Sequence, residues 1–160
     1  MLSQRDRSLI DALQIAYVRA LDLKDMSGWV ECFDQNVGGY ECITEDNDRD
    51  GLVLPLMLDD CPGRLRDRVT FINDVWSGTF TDYGTRHFLQ SIEIVQAAEG
   101  QFRGITNFMV AFTTPERQSG ILVAGRYEDE IDCSGEKAVF IKRRAILDTT
   151  TTPRYLVYPV

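Results

Sequence analysis

The chain has 160 residues and a single histidine, His87. An iron–sulfur cluster held by two His and two Cys, or a mononuclear non-haem iron held by two His and a carboxylate, cannot be assembled from one imidazole. Redox-metal chemistry within this chain is therefore excluded on ligand count. The four cysteines, Cys32, Cys42, Cys61 and Cys133, are scattered without a CxxC pair, so no structural zinc site is expected and the thiols read as reduced and mostly buried. The glycines form neither GxGxxG nor GxxxxGK(S/T), the phosphate cradles of nucleotide-binding folds. There is no GxSxG elbow, and Ser91 follows His87 at a strand spacing that does not bring the two side chains into hydrogen-bonding contact.

Long apolar runs are missing too. No stretch approaches the roughly 20 apolar residues that span a bilayer, and the polar residues 1–7 offer no secretory h-region. A cytoplasmic location is expected. Positive charge is in deficit: 17 Lys and Arg against 25 Asp and Glu give a formal charge of -8. A field of that sign repels phosphate backbones and anionic lipid, so neither nucleic acid nor membrane is an expected partner. The acidity itself says nothing of a substrate, because acidic surfaces mostly serve solubility.

What remains is globular. Hydrophobic residues make up 44% and charged residues 26% of the chain, the balance of an ordinary folded protein. The length is that of one core, and no linker or repeat divides it, so residues 1–160 are expected to form one domain.

Leu9, Leu13, Ala16, Tyr17 and Ala20 fall on one stripe of an amphipathic helix, with Ser3 as its cap. Asp25 is placed to cap a short second helix bearing Trp29, Val30 and Phe33, ended by Asn36 and Gly38-Gly39. Tyr40 to Thr44 reads as a short strand, Glu45 to Gly51 as a surface loop, and the segment from Pro62 to Asp74 as a third helix with Leu65, Val69 and Ile72 inward. Four long strand-like runs follow: Thr85 to Ala97, Phe102 to Thr114, Ile121 to Ile131 and Lys137 to Leu147. Their short connections predict an antiparallel meander, and helices followed by such a sheet predict an α+β fold. Phe108 to Phe112 is apolar on both faces and should be covered on both; Ile121, Val123, Tyr127 and Ile131 should share one face.

Two readings of His87 stand side by side. It is a general base in a cavity, oriented by Asp22 or Asp25 with Tyr17 or Tyr127 as polarising donor, or a hydrogen-bonded structural or interface histidine. The cluster Lys142-Arg143-Arg144 lies in a strand, where neighbours point to opposite faces. Its expected partners are Glu128, Asp129 and Glu130 on the preceding strand, with a subunit contact as the alternative role for one arginine.

The series Tyr17-x-x-Ala20-Leu21-Asp22-x-x-Asp25-x-x-x-Trp29-x-x-x-Phe33, Leu65-x-x-Arg68-Val69, Thr85-Arg86-His87-Phe88, Asn107-Phe108-x-Val110, Gly125-Arg126-Tyr127-Glu128-Asp129, and Arg143-Arg144 with Leu147-Asp148 resembles the β subunit of ring-hydroxylating dioxygenases over residues 10–150. The resemblance implies an NTF2-like (cystatin-like) cone, with a long curved antiparallel sheet packed on N-terminal helices. It implies a trimer of this chain within an α3β3 hexamer, whose α subunits carry the [2Fe-2S] Rieske cluster and the mononuclear iron, and no cofactor on this chain. Arg86, His87, Trp76, Arg143 and Arg144 become candidate interface residues, Trp29 a core residue. The loop through Thr44-Glu45-Asp46-Asn47, Gly51-Leu52 and Leu58-Asp59-Asp60 is similar to the branch acting on aromatic acids such as salicylate, anthranilate or terephthalate. The chain departs from better-known members at Thr79 to Gly84 and in its apolar end, Tyr155 to Val160, which would be a last strand, an interface or a segment tucked into its own domain. The alternatives are a stand-alone isomerase or dehydratase using His87, Asp22 and Tyr17 in the cone, and a non-catalytic small-ligand binder.

Overall fold

The computed structural model describes residues 2–160. Helix α1, Gln4–Asp22, starts where Ser3 accepts a hydrogen bond from the Asp6 amide, and buries Ile10, Leu13, Tyr17, Ala20 and Leu21. Ala16, expected on that stripe, is exposed, because the buried face is phased on Ile10 instead. Helix α2, Met26–Glu31, is capped by Asp25 accepting from the Gly28 amide, and Trp29 and Phe33 are fully buried.

Strand β1, Gly39–Thr44, leads into α3, Glu45–Arg49, where a surface loop was expected. Thr44 caps this helix and three acidic residues sit in its first turn, where they meet the positive end of the helix dipole. The segment after it was also expected to be loop, but forms β2, Met57–Asp59, paired to β1. Helix α4, Pro62–Thr70, runs on as a π-helical turn, Phe71–Trp76. A bidentate Arg68–Asp59 pair at 2.9 and 3.1 Å ties it to β2.

Strands β3, Gly84–Ala98, β4, Gln101–Thr113, β5, Ser119–Asp132, and β6, Val139–Leu147, form the predicted antiparallel meander. The sheet order is β2-β1-β6-β5-β4-β3, with β1 lying parallel to β6. That parallel pairing was not anticipated. Irregularities at three strand pairs accompany the curvature, as bulges bend the strand that carries them. One of them corrects an expectation: Val110 pairs with Val123 and Ala111 with Ile121, leaving Leu122 as the extra residue. The alternation flips there, so Leu122 and Val123 are buried and Ile121 faces outward. On β4, Phe108 and Val110 face the core fully buried, while Met109 and Ala111 on the outer face are only half-buried.

The core lies between the inner sheet face and α1, α2 and α4. Tyr17, Trp29, Phe33, Tyr40 and Phe140 meet there edge to face, with Phe108 stacked on Tyr127 at 4.1 Å. The end of the chain enters this core. Val157 and Val160 are buried, so the apolar tail is tucked into the fold rather than forming another strand.

Candidate functional site

Asp22, the last residue of α1, and His87, on β3, meet where the end of α1 packs against the sheet. Nδ1 of His87 lies 2.6 Å from Asp22 Oδ1, the His87 amide donates to Oδ2 at 3.1 Å, and the Thr85 hydroxyl donates to Oδ1 at 3.0 Å. Burial alone would raise the Asp22 pKa, but the hydrogen bonds from the His87 ring, the His87 amide and the Thr85 hydroxyl outweigh it and hold the carboxyl below its ordinary 3.8. An ionised carboxylate accepting at Nδ1 places the neutral ring's proton on that nitrogen, leaving Nε2 as a bare acceptor. The imidazole is 1% exposed, and Nε2 is buried without a hydrogen-bond partner. His87 thus belongs to the inner wall and does not project from the outer surface as an interface residue.

The other members of the anticipated site go elsewhere. The Tyr17 hydroxyl donates to the Val160 carbonyl at 2.8 Å, as does that of Tyr40 at 3.1 Å, and the Val160 amide donates back to Tyr40 Oη at 3.1 Å. Burial pushes the Tyr17 phenol far up. Asp25 is spent on its helix cap. Tyr127 stacks on Phe108, its hydroxyl buried and unpaired. The dyad of His87 and Asp22 is therefore assembled, and the tyrosine that would complete a dehydratase-like triad is not part of it.

The three basic residues of β6 pair as their strand position dictates. Glu128 stands opposite Arg144, Asp129 opposite Arg143 and Glu130 opposite Lys142. Arg143, expected at an interface, is instead fully buried. Its guanidinium grips Asp129 through bonds of 2.8 and 2.7 Å and reaches Gln14 Oε1 at 2.6 Å. It is boxed by Tyr17, Tyr127 and Phe140 at 4.2, 3.9 and 3.9 Å from their ring centres. Burial disfavours this charge, and the Asp129 carboxylate beside it overcomes that and raises the Arg143 pKa. Gln14 was missed in the sequence, although a polar residue between Leu13 and Tyr17 on the core edge of α1 was the available signal. Arg144, one position on, points outward and binds Glu41, Glu128 and Asp48; Arg126 joins Glu45 and Glu128 beside it.

Of the remaining interface candidates, Arg86 is exposed on β3, and Trp76 is half-buried between Phe71 and Phe80. Large apolar side chains also face solvent. Phe88 (53%), Ile92 and Val95 lie along β3, and Leu52, Val53 (83%), Leu54, Leu56 and Leu58 lie between α3 and α4. Among the described residues, no three His, Cys, Asp or Glu side chains are grouped to hold a metal ion, and no helix is long and apolar enough to cross a membrane.

A curved six-stranded sheet closed over N-terminal helices defines an NTF2-like, cystatin-like cone. Residues 16–154 match the family model of the ring hydroxylating beta subunit. The chain belongs to that family: it is the small β subunit of an aromatic-ring-hydroxylating dioxygenase, one component of an oxidoreductase complex. It is 26% identical over 150 residues to the anthranilate 1,2-dioxygenase small subunit of Burkholderia cepacia, covering 92% of this chain and 90% of that one. It is 24% identical over 152 residues to a β subunit of the terephthalate 1,2-dioxygenase terminal oxygenase of a Comamonas species, covering 94% and 96%. The crystal structure of a dioxygenase β subunit from Novosphingobium aromaticivorans superposes with a TM-score of 0.83 at 26% identity over 94% of each chain.

Proposed function

We propose that this chain contributes assembly rather than chemistry to its oxygenase. Three copies associate and hold three α subunits in an α3β3 hexamer, and each α subunit carries a Rieske [2Fe-2S] cluster and a mononuclear iron. The observation that carries this reading is that two core tyrosines and the buried arginine are spent on partners within the chain. Tyr17 and Tyr40 are taken by the Val160 carbonyl, and Arg143 by Asp129 and Gln14, so the chain's own tail and an ion pair occupy the interior. Outward, the sheet offers Arg86 beside Phe88 on β3, and Trp76 and the Leu52-to-Leu58 segment add apolar surface, the type of surface that marks protein contacts. Arg144, held by three carboxylates, presents a rigid polar rim for the same assembly.

The chain acts as one domain of residues 1–160, a reading supported by one sheet and one continuous core. Its four free cysteines suit the reducing cytoplasm. The relatives named for anthranilate and terephthalate point to an aromatic acid as the substrate of the partner α subunit. Size-exclusion chromatography with light scattering tests the assembly, on the chain alone and co-expressed with its α subunit. A trimer alone, or a brown particle of hexamer mass on co-expression, is the expected result; a colourless monomer that ignores the partner would overturn it.

A further inference from the structure

The His87–Asp22 dyad plays no part in the scaffold role. We propose that it is the recognition element of a separate ligand site, a cleft between α1 and the inner face of β3 and β4 that takes a neutral phenol. The cleft has a volume of about 470 Å³, within the usual range of small-molecule sites and ample for one substituted ring. Its walls are mainly apolar, from Ile10 and Val18 on α1 to Leu89 and Ile94 on β3, with Ser91 and Thr106 as neutral polar points.

His87 forms part of this wall, and its chemistry selects the ligand. In the neutral ring the Nδ1 proton is held toward Asp22, and Nε2 is then the accepting nitrogen. A buried acceptor without a partner leaves a desolvation cost uncompensated, and a ligand hydroxyl would remove that cost. Val18, Leu89 and Ile94, which line the same cleft, are only partly buried, so they can turn aside for a ring. Charge decides between kinds of aromatic ligand. Asp11 lines the cleft, Asp22 stands behind the imidazole and the chain carries a net charge of -8, all of which oppose a carboxylate. The site thus prefers a neutral O–H donor over an aromatic acid, and it is distinct in chemistry from the aromatic-acid substrate proposed for the partner. No bond is made or broken in it.

The test is fluorine NMR titration of the full chain with 4-fluorophenol, 4-fluoroanisole and 4-fluorobenzoate. The phenol should shift saturably, with the ether, which has no donor, and the acid each weaker by roughly tenfold or more. His87→Phe, which removes the acceptor, and Ser91→Trp, which fills the cleft rim without touching the dyad, should each abolish the phenol shift. If His87→Phe does not fold, Ser91→Trp alone decides. Absence of saturation in the unmodified chain, equal affinity for phenol and ether, or undiminished binding by folded Ser91→Trp would each overturn the proposal.

Discussion

Arg143 shows how much rests on one side chain. Its charge is satisfied only by Asp129 and Gln14 in an aromatic box, so Arg143→Met leaves an uncompensated carboxylate in the core. Urea unfolding should show a loss of about 3–5 kcal/mol. Replacing the set together, Arg143→Met with Asp129→Leu and Gln14→Leu, should recover most of it, because the cost lies in the orphaned charge. Lys24 is a different case. Its ammonium sits 3.7 Å from the centre of the Tyr158 ring without a hydrogen bond, and burial, only partly opposed by Asp82, pulls its pKa down to about 8 from 10.5. Between those values the unfolded chain binds more protons than the folded one, so this lysine makes stability rise with pH across that window and costs most below it. Lys24→Met should therefore raise the unfolding midpoint at pH 7, with the gain over the unmodified protein shrinking as the pH goes from 8 to 10.5. In the sequence the pairing partners of Arg143 were legible, since period-two alternation and a short hairpin bring Glu128–Glu130 opposite Lys142–Arg144. Which of the three basic residues would face the core was not, because that depends on the phase of the whole strand.

At the level of elements, local grammar went far. Caps at Ser3 and Asp25 and the punctuation between the last four strands gave every long element its type and approximate span. The failures were local too. The single turn α3 hides in a run of acidic residues that also suits a loop, and its helical state depends on the Thr44 cap and on carboxylates held by Arg126 and Arg144. The reversal at Ile121 depends on a bulge no composition announces. Gly125, on β5, stands against the backbone of β6. A Cβ there would collide with the backbone carbonyl of Ile146, whereas at Gly135 it meets only ordinary contacts. Gly125→Ala should cost about 1–3 kcal/mol by thermal unfolding, and Gly135→Ala should stay within about 0.5 kcal/mol.

For the molecule as a whole, the proposed assembly places function outside the core. Phe88 lies on the outer face of β3 next to Arg86, and β3 is a 15-residue edge strand without Pro or Lys. Exposed, long and partly apolar edges are normally protected, and assembly would provide that protection here. At a concentration low enough for the unmodified chain to be monomeric, Phe88→Glu should leave the unfolding transition unchanged within about 0.5 kcal/mol, and at higher concentration it should shift the light-scattering mass toward the monomer. Retention of full assembly by this variant would place the contact on another face.

The sequence by itself determined what the chain is unable to do and which elements it builds. One histidine and dispersed cysteines are too few ligands for a Rieske cluster or a two-histidine iron site, and apolar spacing sets helix against strand, because ligand count and periodicity are properties of residue order alone. Only the tertiary structure decided how distant pieces meet. Asp22 reaches His87 across 65 residues, the Val160 carbonyl meets Tyr17 across 143, and β1 inserts parallel to β6. These contacts depend on the curvature of the sheet and the packing of α1 against it, and no local pattern records a pairing between segments so far apart along the chain.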